Sequence, residues 1–122
     1  MRLIVCLASL CLALGLSGCV PICAGTSCDC PADTVCAFNG CSASTADCSL
    51  NCTSGSECTG SCGANCNVTC GGKSCTHTVG AGSRVVCSGG TCNITCEGSC
   101  LATGVTNLTC NGGTTKGPAG CS

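Results

Sequence analysis

From Leu50 onward the chain repeats one short pattern: an apolar residue, an intervening residue, a cysteine, and then a glycine-rich turn. Val68-Thr69-Cys70-Gly71-Gly72, Val85-Val86-Cys87-Ser88-Gly89, Ile94-Thr95-Cys96-Glu97-Gly98 and Leu108-Thr109-Cys110-Asn111-Gly112 are four copies, and Leu50-Asn51-Cys52 is a looser one. Residues two apart on a strand share a face, so the apolar residue and the cysteine of each copy point one way. Thr69, Thr95 and Thr109 point the other way, together with Asn67, Asn93 and Asn107. That alternation predicts short strands with one buried face, and the glycine pairs supply tight turns with positive φ. The copies start at Leu50, Val68, Val85, Ile94 and Leu108; the first three intervals lie close to multiples of nine, and the last does not. Short strands at near-constant spacing predict a mainly β, repetitive, solenoid-like domain over residues 49–122. The alternative is an irregular disulfide-rich coil.

Two gaps break the cysteine rhythm, from Cys75 to Cys87 and from Cys100 to Cys110, and each is predicted to hold an extra strand, around Val79 and around Val105. Cys121 is expected to tie back the polar tail that begins at Asn111. Residues 19–48 are a separate cysteine-rich segment, expected as a small knot-like unit ahead of the repeats. Cys23, Cys28, Cys30, Cys36, Cys41 and Cys48 can pair among themselves as three bridges, and six cysteines allow 15 connectivities. Pro31-Ala32-Asp33 and Asn39-Gly40 are turn signals, and Ser42 to Asp47 reads as a loop or linker. Stacked rungs would place cysteine above cysteine and let bridges form along a narrow interior that accepts only small side chains. In this the chain looks like the cysteine-stapled solenoids of some small secreted proteins.

The first residues have a different pattern. Met1-Arg2 is followed by an apolar run from Leu3 to Leu16 and the small residues Ser17 and Gly18. This is the layout of a secretory signal peptide. The run from Leu3 to Leu16 falls short of the roughly 20 residues that span a bilayer. Leu16-Ser17-Gly18-Cys19 resembles the lipobox of bacterial lipoproteins, in which the cysteine sulfur receives a diacylglycerol and the signal is cut just before it. The resemblance implies removal of residues 1–18, cleavage between Gly18 and Cys19, and a lipid on Cys19 as the first mature residue. The partner implied is a membrane. One acyl chain binds only marginally at about 0.8 kcal/mol per buried CH₂, so two or three chains are needed for a lasting anchor. Val20 resembles an outer-membrane address, because Asp at that position retains lipoproteins of enteric bacteria in the inner membrane. The expected location is the bacterial cell envelope, with secretion without lipid as the alternative.

Composition sharpens this picture. Beyond the leader there are thirteen large apolar residues, with Phe38 the only aromatic among them. A conventional core cannot be built from so few, and a small chain in that position needs staples. Of 21 cysteines, Cys6 and Cys11 leave with the signal and Cys19 is assigned to lipid, which leaves an even eighteen. The other twelve after Cys48 are Cys52, Cys58, Cys62, Cys66, Cys70, Cys75, Cys87, Cys92, Cys96, Cys100, Cys110 and Cys121. An even count suits nine disulfides in an oxidising compartment, each typically contributing about 2–4 kcal/mol. Three cations, Lys73, Arg84 and Lys116, face five carboxylates after the leader, so no basic patch is present to attract nucleic acid.

Candidate chemistry is sparse. No C-x-x-C occurs, and the one C-x-C is Cys28 and Cys30, so the spacing of thioredoxin-type redox centres is missing, and the export signal argues against the reduced thiolates that a zinc site needs. No metal, cofactor or catalytic residue is therefore assigned. His77 is the only histidine, and no carboxylate lies within ten positions of it. It reads as a solvent-exposed loop residue and not as part of a triad. Asn51, Asn67, Asn93 and Asn107 each begin an N-x-Thr sequon; in a bacterial protein these follow from the repeat, and in a eukaryotic one they would carry glycans. The expected function is non-enzymatic: an envelope lipoprotein displaying a stapled β domain in a structural or adhesive role, with an unidentified protein or glycan partner. The alternatives are a secreted module whose outward threonines bind glycan or ice, and a thiol-rich metal-binding protein.

Overall fold

The structure is a computed structural model that describes residues 23–38 and 40–122. The apolar leader, the Gly18–Cys19 cleavage position and the lipid site at Cys19 lie outside the described residues. Every regular element described is a strand: β1 (Cys23–Ala24), β2 (Ser27–Cys30), β3 (Val35–Phe38), β4 (Ser49–Cys52), β5 (Glu57–Ser61), β6 (Asn67–Cys70), β7 (Ser74–Val79), β8 (Ser83–Cys87), β9 (Thr91–Cys96), β10 (Cys100–Thr103), β11 (Asn107–Cys110), β12 (Lys116–Gly117) and β13 (Gly120–Cys121). The chain winds into a β-solenoid of about four turns. Even-numbered strands β2 to β10 stack in parallel in one sheet, and odd-numbered strands β3 to β11 stack in parallel in the other.

The alternation read from the sequence is the physical basis of the winding. Leu50, Val68 and Val85 stack in register on the first sheet, and Ile94 and Leu108 stack on the second. The steps from Leu50 to Val68 and from Val68 to Val85 are full turns. The step from Val85 to Ile94 is a half turn that crosses from one sheet to the other. The last turn is shorter, since Asn93 and Asn107 lie side by side at a sequence separation of only 14. Each strand presents up to three inward positions. On the first sheet these are Cys48-Leu50-Cys52, Cys66-Val68-Cys70 and Ser83-Val85-Cys87, all buried. On the second they include Cys75-His77-Val79, also buried.

Disulfides close the two corners of the coil. At the corner leading from the first sheet to the second are Cys30–Cys36, Cys52–Cys58 and Cys87–Cys92. At the returning corner are Cys41–Cys48, Cys62–Cys66 and Cys96–Cys100, and Cys110–Cys121 continues that column because Cys110 lies beside Cys96 and Cys121 beside Cys100. These seven corner bridges run within a turn and not along the stack, which corrects the expectation of bridges between rungs; the eighth, Cys23–Cys28, joins paired residues of the antiparallel strands β1 and β2. The cause is direction. Side chains of stacked neighbours leave the sheet in parallel, whereas residues on either side of a corner point toward each other across the interior, as a disulfide requires.

The returning corners turn on residues that tolerate positive φ. Asp47, Asn65 and Gly82 each precede an inward Cys48, Cys66 or Ser83 and have φ of 61°, 58° and 79°. Asp, Asn and Gly are the residues that visit this region at least cost.

The amino-terminal segment pairs its cysteines among themselves, as Cys23–Cys28, Cys30–Cys36 and Cys41–Cys48. Its strands also form the first turn of the solenoid, since β2 pairs with β4 and β3 with β5. Ser42 to Asp47 is an enlarged corner and not a linker: Gly63 donates its backbone N–H to Thr45, and Asp47 donates to Ala64. At the ends, β1 folds back antiparallel on β2, and β13 with β12 folds back on β10, so the edges of the first sheet are covered by short hairpins. The expected strand around Val79 is present as the end of β7. Val105 lies instead in the short connection between β10 and β11, because the shortened last turn leaves no room for another strand.

Candidate functional site

One rung differs from its neighbours. Cys70 lies in register between Cys52 and Cys87, and Cys75 between Cys58 and Cys92. The pairs above and below are bridged, while Cys70 and Cys75 are buried free thiols. The structure thus joins sixteen of the eighteen candidate cysteines and leaves these two side by side in the middle of the first column.

His77 completes the group. It is the central inward residue of β7 and is 1% exposed, which corrects the expectation of a solvent-exposed loop histidine. The reason is packing in three successive strands. Phe38, Gly60 and His77 share one file on the second sheet. Strands two apart in a sheet are about 9.6 Å apart, yet the two rings stack with centroids 5.6 Å apart and an interplanar angle of 8°. Both rings lean into the space left by Gly60, where a Cβ would meet Phe38 Cβ at 3.1 Å and His77 Nδ1 at 3.2 Å. The alternation Cys75-Thr76-His77-Thr78-Val79 places His77 in phase with two inward residues, a signal of its burial that is present in the sequence.

Neither ring nitrogen of His77 has a hydrogen-bond partner among the described residues. A buried polar group left in that state costs about 1–3 kcal/mol. A His77 nitrogen and the sulfurs of Cys70 and Cys75 lie within 4.8 Å of one another. The two thiols are electrostatically coupled. A hydrogen bond from Cys70 is the main cause that lowers the Cys75 thiol to about 6, with burial opposing and His77 and the Gly72 backbone assisting. The same hydrogen bond, reinforced by burial, pushes Cys70 up. Of the two sulfurs, the more acidic is that of Cys75. His77 lies near that sulfur but outside hydrogen-bond geometry.

Two further groups of close cysteines occur, Cys70 with Cys87 and Cys92, and Cys96 with Cys100 and Cys121. In both, sulfurs are already committed to disulfides. Among the described residues, only Cys70, Cys75 and His77 form a group in which every donor is uncommitted.

The outer face of the second sheet is the other distinctive surface. Thr59, Thr76, Asn93 and Asn107 stand in one file, and Ser61, Thr78, Thr95 and Thr109 in the next. Asn107 donates from Nδ2 to Asn93 Oδ1 at 2.7 Å, which links two strands of this face. Thr69, expected to belong with Thr95 and Thr109, lies on the opposite sheet between Asn51 and Val86. The half-turn step explains the division, because copies half a turn apart face opposite sides. Of the four sequon asparagines, Asn51 and Asn67 lie on the first sheet and Asn93 and Asn107 on the second.

Comparison with known proteins finds no matching family model, no matching curated protein and no matching solved structure.

Proposed function

We propose that this protein is a non-enzymatic lipoprotein of the bacterial cell envelope, tethered through Cys19, whose stapled solenoid has a structural or adhesive role. The observation that carries the reading is the pair of disulfide columns, with eight bridges distributed over both corners and both ends of the described chain. Bridges at that density belong to an oxidising compartment, which agrees with an export signal ending at Cys19. The first described strand begins at Cys23, a few residues beyond the lipid site. Four extended residues reach roughly 14 Å, so the tether holds the solenoid close to the membrane surface. The two files of hydroxyl and amide side chains on the second sheet supply the adhesive surface, short and regular on a backbone fixed from inside.

Fractionation of cells producing the Cys19→Ser variant tests the reading. The variant is expected to leave the membrane fraction and to appear in the soluble envelope fraction or the medium, with its disulfides intact. An unchanged distribution between membrane and soluble fractions would remove the lipid tether and favour a secreted module.

A further inference from the structure

We propose that Cys70, Cys75 and His77 form a buried site for one thiophilic d¹⁰ metal ion, copper(I) or zinc(II). Three observations converge on it. The pair Cys70 and Cys75 occupies a position that is bridged in the turns on either side, yet both sulfurs are free. His77 is 1% exposed, with both ring nitrogens unpartnered among the described residues. The three donor atoms lie within 4.8 Å of one another.

Closing the two thiols into a further disulfide would complete the column but leave the imidazole as it stands. A metal ion accounts for all three residues together. A cation held at about 2.3 Å from sulfur and about 2.0 Å from nitrogen needs donors roughly 3.5–4 Å apart, which falls inside the 4.8 Å that bounds the three donors here. Two sulfurs, one imidazole nitrogen and no oxygen are the donor set of a soft ion and are unsuited to calcium or magnesium. Phe38 stacked on the ring fixes the imidazole plane, and Gly60 leaves the space that the ring occupies. Coordination would also explain how two adjacent thiols persist among eight disulfides, because a metal-bound thiolate pair is withheld from oxidation. Two thiolates and a neutral imidazole balance a divalent charge, which favours zinc; three donors suit copper(I), which accepts that number. Titration with each ion in turn separates the two.

The test uses the full chain purified from its oxidising fraction without added reductant. Bound metal is measured as isolated and again after addition of one equivalent of zinc(II) or of copper(I) under anaerobic conditions. One ion per chain, with two sulfur and one nitrogen neighbours by X-ray absorption, is the expected result. His77→Phe keeps the ring against Phe38 and removes both nitrogens. It is expected to keep the eight disulfides and to lose the bound ion, as is the Cys70→Ser/Cys75→Ser variant. The proposal is overturned if Cys70 and Cys75 are joined in the isolated protein, if neither ion binds, or if His77→Phe retains the metal as the parent does.

Discussion

Gly60 and His77 show how far one residue's place depends on others far away in sequence. The imidazole enters the interior because β5 has no side chain at the position beneath it, and because Phe38 supplies a flat partner from the strand beyond. The alternation in β7 was legible in Cys75-Thr76-His77-Thr78-Val79. The space was not, since it is created one and two turns upstream, at Gly60 and Phe38. This gives a direct prediction. Gly60→Val would drive a branched side chain against both rings and should destabilise the fold by about 1–3 kcal/mol, the usual cost of overpacking. Chemical denaturation of the oxidised protein checks the value, and a change near zero would mean the rings do not share the space over Gly60.

At the scale of strands and corners, the solenoid is built from one rule applied twice per turn: inward residues at both ends of a strand meet their counterparts across a corner. The cysteine gap between Cys75 and Cys87 follows from this rule. Val79 lies beside Cys96 and Ser83 beside Cys100. The backbone N–H of Cys66 donates to Ser83 Oγ at 3.1 Å. Val79 and Ser83 thus stand where the neighbouring turns have Cys62–Cys66 and Cys96–Cys100, with the same separation along the chain. The gap is a substituted bridge. The double variant Val79→Cys/Ser83→Cys should therefore close a new disulfide and stabilise the protein by about 2 kcal/mol, within the range of native bridges and reduced by the lost serine hydrogen bond. Non-reducing mass spectrometry and a thermal melt check it. Two free thiols in the oxidised variant would contradict the alignment of the column. The sequence revealed the strands and their buried faces here, because alternation is local. It concealed the half-turn relation: the step from Val85 to Ile94 changes the sheet, whereas the steps from Leu50 to Val68 and on to Val85 do not.

Across the whole molecule, the fold class was readable because composition left few options: too little apolar volume for an ordinary core, many cysteines, and a short β pattern repeated along the chain. Merging of the first cysteine-rich segment with the repeats was not readable, because its enlarged turn, from Ser27 to Ser49, hides the shared period. Nor was the direction of the bridges, which depends on side-chain vectors that spacing does not contain. Because the corner bridges join cysteines at sequence separations of only 4 to 11, each staples one turn and leaves contact between turns to hydrogen bonds and stacked interior residues.

Disulfide mapping of the unreduced protein tests this architecture most directly. Peptides cut between the cysteines and sequenced by mass spectrometry should show Cys30–Cys36, Cys52–Cys58 and Cys87–Cys92 in one column, and Cys41–Cys48, Cys62–Cys66, Cys96–Cys100 and Cys110–Cys121 in the other. Links between stacked residues, such as Cys52 to Cys70 or Cys58 to Cys75, would contradict a solenoid stapled turn by turn.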